Sequence, residues 1–229
     1  MKHNLIDTFF NSSLGFAEHK HIAIDLLKLT TDILDEFNID YFLISGTLLG
    51  LKRHNDFIPF DDDIDLIVNK DIKNKVPDIM KKYNSEISFI VRDNIMKTCF
   101  KDKVINLNNF KIWSNYLVNK KDSYFWPFID LFIFEYSTDG KFIHFFAKDW
   151  DIEEFFPRQR TDFNGINVSI PRNPDYFLSI NYGKDYMTTL KSSNWNHKKE
   201  HGISEQHLIT IEEYFEYIKI KNSNIKNVS

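Results

Sequence analysis

Apolar positions along the chain recur first at helical and then at strand spacing. Ile22, Leu26, Ile33 and Phe37, with Leu27 and Leu34 beside them, fall on one side of a 3.6-residue repeat and predict an amphipathic helix over 18–37. Asn38 and Asp40 end it, and the apolar run 41–44 predicts a short buried strand. Ser45-Gly46-Thr47 is a tight turn into a brief helix over 48–52. A loop with Arg53, His54 and Pro59 then leads to a strand over 63–68. A helix over 71–83 follows, which Pro77 is expected to shorten or kink. The middle, 87–118, predicts several strands, clearest at 87–91 and 110–113. Another strand-forming run, 125–134, has Pro127 near its start, which suits an edge or an entry position. Gly140 marks a turn, and 155–170 reads as irregular with a hairpin at Asn164-Gly165. Asn173 as N-cap, Pro174 at the first helical position and Gly183 as a left-handed C-terminal residue bracket a helix over 173–183. Leu208, Ile211, Tyr214, Phe215 and Ile218 predict a last helix over 205–221, with 222–229 as a frayed tail.

Helices and strands alternate without a repeat or a flexible linker, so the expectation is one α/β (α+β) domain over residues 1–229, a mixed sheet flanked by helices. Composition narrows the function classes. A net charge of −4 supplies no global basic field for nucleic acid. The longest nearly apolar stretch, 41–51, is about half the roughly 20 residues of a membrane span. The opening MKHNLIDTFF lacks the apolar core of a signal peptide, and the one cysteine, Cys99, cannot form an internal disulfide. The expected compartment is therefore the cytoplasm. Aromatic residues at 16%, with 22 Phe, predict a core built from rings as much as from aliphatic groups.

The chemistry concentrates in Asp61-Asp62-Asp63-Ile64-Asp65. On a strand Asp61, Asp63 and Asp65 share a face, and like charges that close raise one another's pKa unless something positive joins them. Hard divalent cations with oxygen ligands, Mg²⁺ or Mn²⁺, fit that need. A solvated acidic loop is the plain alternative, but the run opens straight into the apolar strand holding Asp65. An EF-hand is excluded: counted from Asp61, its required Gly and Glu positions hold Leu66 and Ile72. Asp130 stands alone among apolar neighbours in Trp126-Pro-Phe-Ile-Asp-Leu-Phe-Ile-Phe134, where an unpaired carboxylate is costly. It either meets a backbone donor or a cation, or completes a metal site with Asp63 and Asp65. Ser45-Gly46-Thr47, between a strand and a helix start, presents backbone N–H groups and a positive dipole end that favour a phosphate.

The stretch Ile44-Ser-Gly-Thr-Leu-Leu-Gly-Leu-Lys-Arg-His, continued by Ile58-Pro-Phe-Asp-Asp-Asp-Ile-Asp-Leu66, resembles the GTLLG, RH and IPWDxDxD signature of the LicD/fukutin family of phosphotransferases. The Asp130 segment is similar to the family's second acidic strand, and Tyr182-Gly-Lys-Asp-Tyr-Met187 to its YGxDY element, so the resemblance runs in order from about Ile22 to Met187. Phe60 stands where the family usually has Trp, and there is no cysteine-rich zinc element. The resemblance implies a nucleotidyltransferase-like fold. It implies Asp63 and Asp65 as metal ligands, Asp130 as third ligand or as base to the acceptor hydroxyl, and Asp61 as a further metal or second-layer contact. Ser45, Gly46, Thr47, Arg53 and His54 would meet phosphate. The implied reaction moves a phospho-substituent, such as phosphocholine or an alditol phosphate, from a CDP-linked donor onto a glycan or glycolipid hydroxyl, at or near the inner membrane where that acceptor is made. The alternatives are nucleotidyl transfer from an NTP and a non-catalytic glycan-binding protein of the same fold.

Outside that signature, Arg158 and Arg160 in Phe156-Pro-Arg-Gln-Arg are spaced for strand-like presentation to an anionic substrate or to solvent. Trp126, Trp150 and Trp195 are read mainly as core, and His197 and His201, four apart among Lys and Glu, as a solvated loop rather than zinc ligands. The sequence leaves the oligomeric state open.

Overall fold

The computed structural model describes residues 15–16, 19–58, 61, 63–91, 95–101, 127–190 and 209–210. The expected strand at 110–113, Trp126, Trp195, His197, His201, the tail 222–229 and most of the expected helix 205–221 lie outside the described residues.

Helix α1 (Lys20–Glu36) buries Ala23, Leu26, Leu27, Thr30, Ile33 and Leu34, the stripe its periodicity predicts. Strand β1 (Tyr41–Leu43) leads directly into α2 (Ser45–His54), which starts three residues earlier than the apolar pattern suggests and takes in the whole small-residue turn. Strand β2 (Ile64–Asn69) and α3 (Ile72–Tyr83) follow, and α3 runs through Pro77 without being shortened. Then come β3 (Ile87–Val91), β4 (Ile95–Phe100), β5 (Phe128–Tyr136), β6 (Phe142–Phe145), β7 (Lys148–Asp151) and the short α4 (Ile152–Phe155). Strands β8 (Gln159–Phe163) and β9 (Ile166–Ile170), α5 (Pro174–Tyr182), β10 (Thr189–Leu190) and β11 (Ile209–Thr210) complete the described chain.

The main sheet has the order β1-β2-β5-β4-β3, with β6 and β7 extending from the far end of β5. Strand β2 runs parallel to β5, and the remaining pairs are antiparallel. Pro127 stands immediately before β5, which lies in the middle of the sheet; the proline marks an entry, not an edge, because it sits outside the ladder and removes no bond from it. The stretch read as irregular holds the β8–β9 hairpin, turned by Asn164 and Gly165, whose φ values of 55° and 80° give a turn shape that suits this residue pair. Asn173 caps α5 by accepting from the Tyr176 N–H. Gly183 ends it with φ 89° and ψ 163°, a backbone region open to glycine but different from the left-handed one expected. At Ile209–Thr210 the expected helix gives way to a short strand paired with β10, in keeping with the β-branched side chains there.

One face of the sheet carries both the functional candidates and the ring-rich core. Register places Phe42 opposite Ile67, so Phe42, Ile67, Asp65, Asp130 and Phe134 share that face. Phe42 and Phe134 pack with Phe145, Trp150, Phe155 and Phe177 into a cluster of buried rings with mostly edge-on or tilted contacts.

Candidate active site

Parallel pairing of β2 with β5 sets Asp65 directly opposite Asp130, and antiparallel pairing of β5 with β4 sets Asp130 opposite Lys97. Asp65, Asp130 and Lys97 thus form one row across three strands, and Asp63, two residues before Asp65, joins it on the same face. One carboxylate oxygen from each of Asp63, Asp65 and Asp130 lies within 4.8 Å of the others. The Lys97 Nζ donates to Asp130 Oδ1 at 2.5 Å and lies 3.9 Å from the centroid of the Phe128 ring. Asp130 is 8% exposed.

This arrangement is costly on its own. Burial, and then the charge of Asp130, push Asp63 up to about 6, against the opposing effects of a hydrogen bond from Asp61 and the charge of Lys97. Asp65 is pushed well above the ordinary carboxylate range by burial first and then by Asp63 and Asp130, while Lys97 and the Gly46 N–H counteract. With Asp63, Asp65 and Asp130 ionised, three negative charges face the Lys97 ammonium, and the charge of Asp61 adds to them. The donor set fits a hard divalent cation: oxygen donors only, a net negative charge, and a 4.8 Å spread. Two oxygens on opposite sides of such an ion, each about 2.1–2.4 Å away, lie about 4.2–4.8 Å apart.

The start of α2 braces the row. Its first residue, Ser45, takes φ 48°, and the helix N-terminus turns toward β2. Gly46 donates its N–H to the Asp65 carboxylate, and the Thr47 hydroxyl accepts the Asp65 N–H at 2.9 Å. A Cβ on Gly46 would sit 2.2 Å from Asp61 Oδ2, so glycine here is what lets Asp61 pack against the helix start. Asp61 in turn shares a hydrogen bond with Asp63. Gly50 has a separate reason: a Cβ would come within 2.5 Å of the Asp56 carbonyl oxygen, where the chain after α2 folds back on the helix.

Arg53 and His54 stand at the other end of α2. Arg53 donates through Nε, at 2.6 Å, and through Nη2 to the Tyr186 carbonyl oxygen, tying α2 to the turn after α5. Burial draws the guanidinium down to about 10, which leaves it charged at neutral pH. His54 is drawn down to about 4, by burial and then by the charge of Arg53, so it is neutral. Just before that turn, Tyr182 ends α5, and its phenol is pushed up by burial and by the charges of Asp65, Asp61 and Asp63 in that order. Lys52 pairs with Asp175 at 2.9 Å, and the Tyr186 hydroxyl donates to Asp175 at 2.6 Å, which fixes α5 against α2.

Arg158 and Arg160 are not brought to the row. Arg158 pairs with Asp40 at 3.4 Å, and Arg160 pairs with Asp35 and donates to the Tyr41 hydroxyl at 2.9 Å. Tyr41 registers with Val68, three residues along β2 from Asp65, or about 10 Å at the rise of a strand. Two neighbours of the carboxylates escaped the sequence reading. Lys97 had a signal, a lone cation inside the apolar strand Ile95–Phe100, but no register to give it a partner. Tyr182 was visible only as part of a motif.

Comparison with known proteins agrees with the motif. The family described as LicD/FKTN/FKRP, nucleotidyltransferase domain, matches residues 38–173, a span that holds Asp61, Asp63, Asp65, Lys97 and Asp130. The chain is 26% identical over 172 residues to an uncharacterized protein of Rickettsia typhi, covering 72% of this chain and 47% of that one. It is 33% identical over 66 residues to the lipopolysaccharide cholinephosphotransferase LicD of Haemophilus influenzae, covering 29% and 25%. It is 26% identical over 179 residues to the ribitol-5-phosphate transferase FKTN of Mus musculus, covering 76% and 35%. The chain spans about half the length, or less, of these curated relatives. With well over half of its residues matched, the chain belongs to the LicD/FKTN/FKRP family and carries that family's nucleotidyltransferase domain.

Proposed function

We propose that this protein is a metal-dependent phosphotransferase that moves a phospho-substituent from a CDP-linked donor onto a hydroxyl of a glycan or glycolipid. The observation that carries the reading is the convergence of Asp63, Asp65 and Asp130 beside the N-terminus of α2. The printed activities of two relatives, cholinephosphate transfer and ribitol-5-phosphate transfer, support the class of transferred group.

In this reading Asp63, Asp65 and Asp130 hold Mg²⁺ or Mn²⁺, with Asp61 behind Asp63. When bound, the ion supplies charge neutralisation for the donor diphosphate and lowers the pKa of a nearby hydroxyl. The chain's own groups do the rest. Asp130 acts as a ligand, since its Oδ1 is already engaged by Lys97. The N–H of Gly46 and the hydroxyl of Thr47 fix the Asp65 carboxylate and strand, and Ser45 presents the positive end of α2 to the donor phosphates. Arg53 ties α2 to the turn that follows Tyr182, whose phenol feels the charges of the carboxylates. The single buried cysteine suits a reducing compartment, the cytoplasm.

The test is a thermal-shift screen of CDP-choline, CDP-ribitol, CDP-glycerol and plain NTPs, each with and without Mg²⁺, followed by product analysis. Stabilisation by a CDP conjugate only with metal, and release of CMP, is the expected result. Pyrophosphate released from an NTP would move the protein to nucleotidyl transfer, and no nucleotide or metal response in any arm would leave it a binding protein.

A further inference from the structure

We infer that Lys97 is a resident cation of the carboxylate row that limits the site to one divalent ion. The inference rests on the metal-dependent reading above and goes beyond it. In a two-metal site the ions sit about 3.5–4 Å apart with oxygens shared between them. A carboxylate that bridges them uses both of its oxygens. Asp130 is the central member of the row, opposite Asp65 on one side and Lys97 on the other. Its Oδ1 accepts from the Lys97 ammonium at 2.5 Å.

That ammonium is built in rather than incidental. The Lys97 side chain is 15% exposed and that of Asp130 12%. Strand register holds the two residues opposite each other, and the ammonium also lies over the Phe128 ring, a second attraction for a cation. It stands on the β4 side of Asp130 and occupies a carboxylate oxygen that bridging to a second ion would need. Its charge also enters the row's electrostatics, lowering the proton affinity of both Asp63 and Asp65. Lys97 offsets one of the negative charges that Asp61, Asp63, Asp65 and Asp130 bring to the site. Without the lysine that offset is lost, and the Asp130 oxygen is released for a second ion.

The test counts metal. The full chain, stripped with chelator, is titrated with Mn²⁺, and bound ion is measured by calorimetry and by the electron paramagnetic resonance of free Mn²⁺. The wild type should take one Mn²⁺ per chain. Lys97→Met should take a second, while Lys97→Arg should behave as wild type. A purely structural lysine would move stability but not the count. Two Mn²⁺ per wild-type chain, or a folded Lys97→Met with unchanged count, overturns the inference and leaves the transferase reading standing. No Mn²⁺ bound by the wild type removes the metal reading itself. Should Lys97→Met fail to fold, Lys97→Gln, which also removes the charge, carries the same test.

Discussion

The same face of the main sheet is used in two opposite ways along its length. At the start of β2 and β5 it gathers Asp63, Asp65, Asp130 and Lys97, charged groups that raise the free energy of the folded state until a counter-ion joins them. Four residues further along β5, roughly 13 Å at the rise of a strand, Phe134 enters a cluster with Phe42, Phe145, Trp150, Phe155 and Phe177, where burial of rings supplies stability. Helix α5 reaches both: Phe177 packs into the rings, and Tyr182 five residues later stands by the acids. A rigid apolar half can thus hold a strained polar half in place, and the two halves should respond to mutation in opposite currencies, one in activity and one in stability.

The sharpest break of that contrast is Asp65→Asn. Turnover should fall by about a thousandfold or more, as expected when a group central to transition-state charge stabilisation is removed. Yet the metal-free protein should melt at the same temperature or higher, because one of three mutually repelling, partly buried carboxylates is gone and an amide can still accept the Gly46 N–H. A mutant that keeps its turnover, or one that loses its fold, would erase the contrast. On the other side, Phe155→Ala empties the centre of the ring cluster, where Phe155 is fully buried against Phe42, Phe145, Trp150 and Phe177. Denaturant unfolding should show a loss of about 3–5 kcal/mol. Activity per folded molecule at low temperature should stay close to wild type.

Two glycines of one motif divide along the same line. At Gly50 an added Cβ would meet backbone atoms, the Asp56 carbonyl oxygen at 2.5 Å and the Ile58 nitrogen at 2.9 Å, which cannot swing away. Gly50→Ala should therefore cost about 1–3 kcal/mol of stability, read by denaturant unfolding. At Gly46 the Cβ meets only the Asp61 side chain, at 2.2 Å from Oδ2, which can rotate. Gly46→Ala should cost less stability and instead weaken Mn²⁺ binding, because Asp61 leaves its hydrogen bond to Asp63. Equal stability losses in the two variants would mean that Asp61 is as fixed as backbone.

What could be read from the sequence follows from how local its cause is. That Asp63 and Asp65 share a face was legible because alternation on a strand is a two-residue rule. Asp130 was marked because a carboxylate inside an apolar run demands a reason, but its place beside them came from the motif resemblance and not from its neighbours in sequence. The N-cap of α5 and the Asn164-Gly165 turn were legible because each depends on residues within a few positions. Lys97 was not, because its partner is set by the register of β4 on β5 across more than thirty residues of chain. Nor was the fate of Arg158 and Arg160, whose acids, Asp40 and Asp35, lie more than a hundred positions away. Thr47 shows a subtler limit. Its place beside the site was legible, but its hydroxyl is turned inward to the Asp65 N–H, a bond that only the packing of α2 on β2 creates.

The smallest effect concerns His54, on the same short helix as Gly46 and Thr47. Burial and the charge of Arg53 take it from an ordinary 6.5 to about 4 in the folded protein. Between those values the unfolded chain binds a proton that the folded chain refuses, so the stability His54 contributes is present above pH 6.5 and lost as pH falls toward 4. Full burial would make that several kcal/mol, but the side chain keeps partial solvent contact, and about 1–2 kcal/mol is the expected size after screening. His54→Gln removes the titration while leaving Asp63 and Asp65 in place, so their own titration cancels when the two proteins are compared. Unfolding free energies of both proteins at pH 7.5 and pH 5 should show wild type losing stability relative to the variant at the lower pH. A difference between them that stays constant with pH would mean that His54 is protonated in the folded state and belongs, after all, with the charged groups of the polar half.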